Sequence, residues 1–248
     1  MGAGGLLVEA DGWTILIDSG LGPMTIGPTV NGLGTVQGGA LISSLERLGT
    51  RTTDLSAVAI THLHLDHVGW WCNSADQSGA TPPLSGIRAV MTAEEWEDVG
   101  HGTPSRSSAD TVDDLTPAQQ FADVLDALTP TTELVGEGEE IAPGVTVHRA
   151  PGHTPGHAAY RITSGGTTLL AFGDAFHSPV QIAHPDWVDA TDHDPRGALD
   201  TRLNLLASLS EPDTFGFGIH FSDVVFGRVA RDKGTYRWQP IETELLLD

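Results

Sequence analysis

Thr61-His62-Leu63-His64-Leu65-Asp66-His67 packs three imidazoles and a carboxylate into six positions, directly after the apolar run Leu55-Ser56-Ala57-Val58-Ala59-Ile60. An apolar run of that length, with β-branched residues and polar flanks, reads as a short buried strand. The histidines therefore leave a strand end. Side chains two apart in an extended segment point the same way, so His62 and His64 are placed to grip one ion. Asp66 and His67 are adjacent, where the chain is expected to turn into a helix, and do not easily join them; they suggest a second metal position.

Outward from this motif, 248 residues with 39% hydrophobic content, 30 Gly and 15 Pro fit a loop-rich α/β protein with a sizeable core. The expectation is one domain over residues 1–248, built of two similar halves at about 1–130 and 131–248. Acidic residues number 33 against 12 basic, a formal charge of −21 that two divalent ions would lower only to about −17. Such a field opposes phosphate binding, so nucleic acid is not an expected partner. Cys72 is the only cysteine, which rules out an intrachain disulfide and gives no sign of an oxidising compartment. Residues 1–6 lack a basic segment of the signal-peptide kind and no apolar run approaches membrane-spanning length, so a soluble, cytoplasmic protein is expected, without a membrane partner.

Two apolar runs, 5–9 and 13–17, flank Ala10-Asp11-Gly12 and read as a hairpin. Glycine at 20, 22, 27, 32, 34, 38 and 39 makes the next twenty residues a long loop without regular structure, whose Met24, Ile26, Val30 and Leu33 are candidates to line a pocket. Leu41, Leu45 and Leu48 are spaced as in a helix that Gly49 stops. Beyond the motif, a strand at 87–91, a helix from Thr92, an irregular stretch at 100–116 and a helix from Pro117 with Phe121, Val124, Leu125 and Leu128 on one face are expected. Residues 70–128 are thus a candidate lid, with Trp70, Trp71 and Trp96 as candidate walls of a substrate site.

In the second half, strands are read at 133–135, around 141, at 145–148, 158–163, 167–172 and 215–219. A helix at 195–209 is assigned the stripe Leu199, Leu203, Leu206 and Leu209, and the stretch 238–247 an edge strand or short helix. The repeat of Gly12-Trp13-Thr14-Ile15-Leu16 as Gly166-Thr167-Thr168-Leu169-Leu170 is what suggests two halves, each a sheet with helices on one side. Strand ends deliver His153, Asp174 and His220, which complete the donors missing from the first motif. A pair of ions about 3.5–4 Å apart wants a shared carboxylate and further ligands on each.

These motifs resemble the metallo-β-lactamase fold superfamily of metal-dependent hydrolases. Its signature is H-x-H-x-D-H, a later His in a Gly-His-Thr-Pro-Gly-His-like loop, an Asp after a strand and a final His; here these are His62, His64, Asp66 and His67, then His153, Asp174 and His220. The resemblance runs over nearly the whole chain and implies a four-layered αββα sandwich. It also implies that His62, His64 and His153 hold a first metal, Asp66, His67 and His220 a second, and that Asp174 bridges them. Only 28 residues follow His220, so a long C-terminal helical domain like that of glyoxalase II is not expected. The segment Gly173-Asp174-Ala175-Phe176-His177-Ser178-Pro179-Val180-Gln181 is most similar to the branch with methyl-parathion-hydrolase-like enzymes and relatives of acyl-homoserine lactonases. Typical lactonases carry Tyr three residues after the bridging Asp, where this chain has His177.

The chemistry so implied is hydrolysis by a hydroxide bridging two divalent ions, zinc first by ligand type, with Asp66 or Asp174 moving the proton and His177 donating to the oxyanion. His157 is read as a hydrogen-bonding support rather than a ligand. Asp18 is read either as orienting a metal histidine or as capping a turn, and His101, His148, His184 and His193 as surface or satisfied core residues. No Arg or Lys adjoins a ligand motif, and the segments expected around the site are largely apolar. The expected substrate is a neutral, partly apolar ester or lactone, with room for a homodimer. Phosphotriesters, thioesters, a one-iron persulfide dioxygenase and a non-catalytic binding protein on the same fold are the alternatives.

Overall fold

The computed structural model describes residues 2–26, 36–72, 80–100 and 117–241. It falls into two compact units: Ala3–Val90 with Glu97–Glu133, and Leu134 onward with Met91–Trp96 and the N-terminal Gly2.

The first unit opens with a hairpin of β1 (Leu6–Ala10) and β2 (Trp13–Ile17) around Asp11-Gly12, as the Asp-Gly signal predicts. Gly12 takes a φ of 90°, a conformation costly for any side chain with a Cβ. The loop expected to lack regular structure contains one short pairing, β3 (Thr25–Ile26) against β4 (Val36–Gln37). Two-residue strands leave no periodicity to read. Residues 27–35, with Val30 and Leu33, lie outside the described residues, and Met24 is buried. Helix α1 (Leu41–Arg47), β5 (Ala57–Ala59), α2 (Leu65–Val68), β6 (Ala89–Thr92), α3 (Ala93–Gly100), α4 (Pro117–Leu128) and β7 (Thr132–Val135) follow along the chain, with the end of β6 and the start of α3, Met91–Trp96, belonging to the second unit.

The sheet order is β1-β2-β5-β6-β7, with β2–β5 and β5–β6 parallel. Parallel strands need crossover connections and are covered on both faces. This is why Ala57-Val58-Ala59 is an unbroken apolar run, all of it buried, rather than an alternating one. Val124 and Leu128 of α4 are buried as its spacing predicts. The candidate lid 70–128 lies partly outside the described residues. Trp70 and Trp71, candidates for pocket walls or for core, are buried in a short 3₁₀ turn, and Trp71 has no exposed surface.

Burial pushes the neighbouring Cys72 thiol up to about 11, and Asp123 adds to the effect. Native protein at about pH 8 is therefore expected to resist a thiol-reactive dye and to yield its single thiol only on unfolding. Rapid stoichiometric labelling of the folded chain would contradict the burial.

The second unit holds β8 (Glu140–Ala142), β9 (Val145–Arg149), β10 (Ala158–Ser164), β11 (Thr167–Ala171), α5 (Pro179–Ala183), α6 (Pro195–Leu209), β12 (Thr214–Phe217), β13 (Phe226–Asp232) and β14 (Thr235–Pro240). Its sheet order is β14-β13-β12-β11-β10-β9-β8. The hairpin β13–β14 was not anticipated beyond an edge strand from Trp238; its Lys233-Gly234 turn has positive φ at both residues, an arrangement Lys does not advertise in sequence. Strand β12 is parallel to β11, and α6 makes the crossover between them.

The apolar stripe of α6 is a correction. The buried residues are Ala198, Thr201, Arg202, Leu205, Leu206 and Leu209, while Leu203 is 43% exposed. Leu206 and Leu209 face inward as expected, but leucine spacing misplaced the N-terminal part of the arc, where Arg202 is buried and Leu203 is not.

Candidate functional site

In the first unit the donors stand at the carboxyl ends of parallel strands: Asp18 follows β2, and His62 to His67 follow β5. Crevices outside such strand ends are where α/β sheets bind ligands. His62 Nε2 lies 2.9 Å from His64 Nδ1, so two ring nitrogens converge as the extended spacing predicts. The His67 ring centroid is 4.1 Å from that of His62. Asp66 Oδ1 is 3.9 Å from His67 Nε2, and its side chain keeps 33% of its surface exposed.

The outer nitrogens of His62 and His67 are engaged. Thr61 Oγ1 is 3.1 Å from His62 Nδ1, and His67 Nδ1 is 3.0 Å from the buried carboxylate of Asp18. Asp18 also accepts from Thr61 N at 2.8 Å and Thr61 Oγ1 at 2.9 Å, which holds it at a φ of 58°. Asp18 thus orients a histidine rather than only capping a turn. Engaging one ring nitrogen fixes which nitrogen is left to ligate, the arrangement found around metal-bound histidines.

In the second unit β11 and β12, side by side and parallel, end at Asp174 and His220, and the loop after β9 brings His153. The Asp174 carboxylate is buried and meets three imidazoles: His220 Nε2 at 3.0 Å, His177 Nε2 at 3.1 Å and His153 Nε2 at 3.5 Å. His220 Nδ1 donates to Gly2 O at 2.6 Å, and His153 Nδ1 is 3.4 Å from Asp192 Oδ1. His177 Nδ1 is 3.7 Å from Asp189 Oδ2. Burial works against charge on Asp192, yet the His153 hydrogen bond and the Arg202 guanidinium hold its carboxyl below the usual carboxylate range. Asp189 is likewise held low against its burial by Thr191 hydrogen bonds and the nearby His177 charge.

The loop carrying His153 is wedged in place by its glycines. A Cβ on Gly152 would collide with Gly197 and Ala198 at the start of α6, and one on Gly156 would collide with Glu94 and Glu95 of α3. Thr154 Oγ1 donates to the buried Glu95 at 2.6 Å, tying the residue after His153 to the same helix. His157 is buried and its Nε2 accepts from the Asp174 backbone N–H at 3.0 Å, the supporting role expected of it. Imidazole and carboxylate donors converging in each unit, with the outer nitrogens of His62, His67, His153 and His220 engaged, fit divalent metal ions.

The family model described as "Metallo-beta-lactamase superfamily" matches residues 6–215. The chain belongs to this superfamily. A probable metallo-hydrolase of Mycobacterium tuberculosis is 28% identical, over 69% of this chain and 56% of the relative. The chain thus spans little more than half the length of that relative. Among solved structures, the dizinc quorum-quenching lactonase AidC in complex with a product is similar at a TM-score of 0.77 and 22% identity, over 96% of this chain and 79% of that one. The hydrolase AbOPH is similar at a TM-score of 0.74 and 24% identity, over 95% and 78%. These likenesses show the fold, the αββα sandwich of the metallo-β-lactamase superfamily that the sequence motifs implied.

Of the residues predicted from sequence, His62, His64 and His67 come together in one unit, with Asp66 beside His67, and His153, Asp174, His177 and His220 in the other. The remaining described histidines lie elsewhere: His148 pairs with Glu137, His184 stacks on Trp187, and His193 meets His153 only through its backbone N–H. His101 lies outside the described residues. Sequence reading missed Asp192, Arg202, Gln181 and Glu95. Arg202 left one legible signal, a cation at helical spacing between Ala198 and Leu206.

Proposed function

We propose that this chain is a two-metal hydrolase of neutral, partly apolar esters or lactones. The observation that carries the reading is the buried Asp174 carboxylate facing the Nε2 atoms of His153 and His220, whose other nitrogens are engaged. Superfamily membership supports extending it to the whole donor set. In this reading His62, His64 and His153 hold one ion, Asp66, His67 and His220 the other, and Asp174 serves both.

When bound, two divalent ions supply a water of near-neutral pKa as nucleophile and polarise the scissile oxygen; zinc suits the donors. Asp66, the partly exposed carboxylate, takes the proton from the attacking water and passes it to solvent, while buried Asp174 stays a ligand. His177 Nε2, next to Asp174, donates to the developing oxyanion. Protein carrying well under one metal per chain, and resisting reconstitution, would remove the basis of this reading.

The neutral-substrate assignment rests on where the cations are. Among the described residues, Arg51 pairs with Asp54 and Arg149 with Glu94, so two of the three arginines nearest the motifs in sequence face carboxylates, and the buried Arg202 pairs with Asp192. A formal charge of −21 opposes anions at long range. Uncharged aryl esters or acyl lactones are expected to exceed glutathione thioesters and phosphodiesters by at least about ten-fold in kcat/KM, about 1.4 kcal/mol of transition-state binding. A substrate panel at fixed salt measures this. Preference for a charged thioester or a phosphodiester would overturn the substrate class and leave the metal ligands standing.

A further inference from the structure

Arg202 is 1% exposed, on the inward arc of α6. A guanidinium taken out of water is costly unless its donors are paired, and here they are. Nε donates to Ala175 O at 2.7 Å, Nη1 to Trp187 O at 3.0 Å and Pro185 O at 3.4 Å, and Nη2 to Asp192 Oδ2 at 2.8 Å. None of these acceptors belongs to α6.

Three of these four acceptors lead to a residue of the proposed site. Ala175 directly follows Asp174, and the other oxygen of Asp192 faces His153 Nδ1 at 3.4 Å. Trp187 O also accepts from Gln181 Nε2 at 3.0 Å, and Gln181 Oε1 accepts from His177 N at 2.7 Å. One planar fork therefore fixes the segments that carry His153, Asp174 and His177. Arginine suits this task because its donors diverge in a rigid plane, whereas a lysine ammonium is a single point on a flexible stem.

We propose that Arg202, acting through Asp192 and the Ala175 carbonyl, is a positioning residue for the metal ligands, so that its loss weakens metal binding beyond what lost stability explains. This rests on the two-metal reading above. Asp192 is the decisive intermediary, because its two oxygens serve His153 and Arg202 separately. An asparagine there offers one acceptor where two are needed.

The test compares Arg202→Met, Asp192→Asn and Leu209→Ala with the wild-type chain. Leu209 is buried on the same helix, and its truncation removes core packing while leaving every polar group of the network in the chain. Zinc affinity is measured by competition with a chromophoric chelator, alongside the Tm of the zinc-free proteins. Arg202→Met and Asp192→Asn are expected to bind zinc about 10–100-fold more weakly. Leu209→Ala, with a Tm lowered at least as far as that of Asp192→Asn, is expected to stay within about two-fold of wild type. Wild-type zinc affinity in Arg202→Met, or an equal loss in Leu209→Ala, would overturn the proposal. Should Arg202→Met fail to fold, Asp192→Asn decides by the same criterion. A wild-type chain that binds no zinc would instead overturn the two-metal reading itself.

Discussion

Asp174→Ala is expected to abolish metal retention and lower hydrolysis on the order of 10³-fold, about 4 kcal/mol of transition-state stabilisation. In the proposed assignment Asp174 serves both ions, so its loss removes a ligand from each and leaves two cations with less negative charge between them. It also removes the carboxylate on which His153, His177 and His220 converge. His157→Ala takes away the acceptor for the Asp174 backbone N–H and the ring that meets His153 edge-on, but no carboxylate. That support is worth about 10–100-fold in affinity or activity. Metal content and hydrolysis of a generic ester, measured side by side in the two variants, separate the roles. Equal effects would mean that the shared ligand is another residue.

Gly156→Ala is expected to destabilise the chain by about 3 kcal/mol, the upper part of the range for forcing atoms into a packed interior. The added methyl would meet the backbone of Glu94 and Glu95, and no rotamer change relieves a backbone collision. The Thr92 Oγ1 bond to Gly156 O and the Thr154 bond to Glu95 would be strained together. In a chain of 248 residues this corresponds to a fall in Tm of roughly 6–12 °C. Gly165→Ala is the contrast: its φ is 57°, but open space surrounds the missing Cβ, so only the left-handed backbone cost of about 1 kcal/mol is expected. Thermal melts of the two variants test the wedge. A Gly156→Ala chain as stable as wild type would show that the His153 loop is not clamped against α3.

Much of this protein was legible in the chain itself, because the signals were local. Ala10-Asp11-Gly12-Trp13 encodes a hairpin in four residues, and Leu55 to Ile60 encodes a buried strand, whose parallel pairing the structure supplies. The spacing His62, His64 then follows from strand geometry, and the ring nitrogens do converge. The β3–β4 pairing and the β13–β14 hairpin escaped because two-residue strands and a Lys-Gly turn carry almost no sequence signature. On α6 the leucine stripe was half right, since Leu206 and Leu209 are buried while Leu203 is exposed and Arg202 takes the inward place.

That last case marks the division between chain and fold. The sequence by itself showed the superfamily and pointed to the proposed donor set, through the close spacing of His62, His64, Asp66 and His67 and through the resemblance that adds His153, Asp174 and His220. The tertiary structure decided which groups hold the donors in place: Asp18 on His67, Gly2 O on His220, and Asp192 with Arg202 behind His153. Those partners stand 49, 218, 39 and 10 residues apart along the chain, so no local pattern announces them. An arginine with no apolar reason to be buried becomes tolerable only when carbonyls and a carboxylate from separate segments converge on it, and that convergence exists only once the chain has folded.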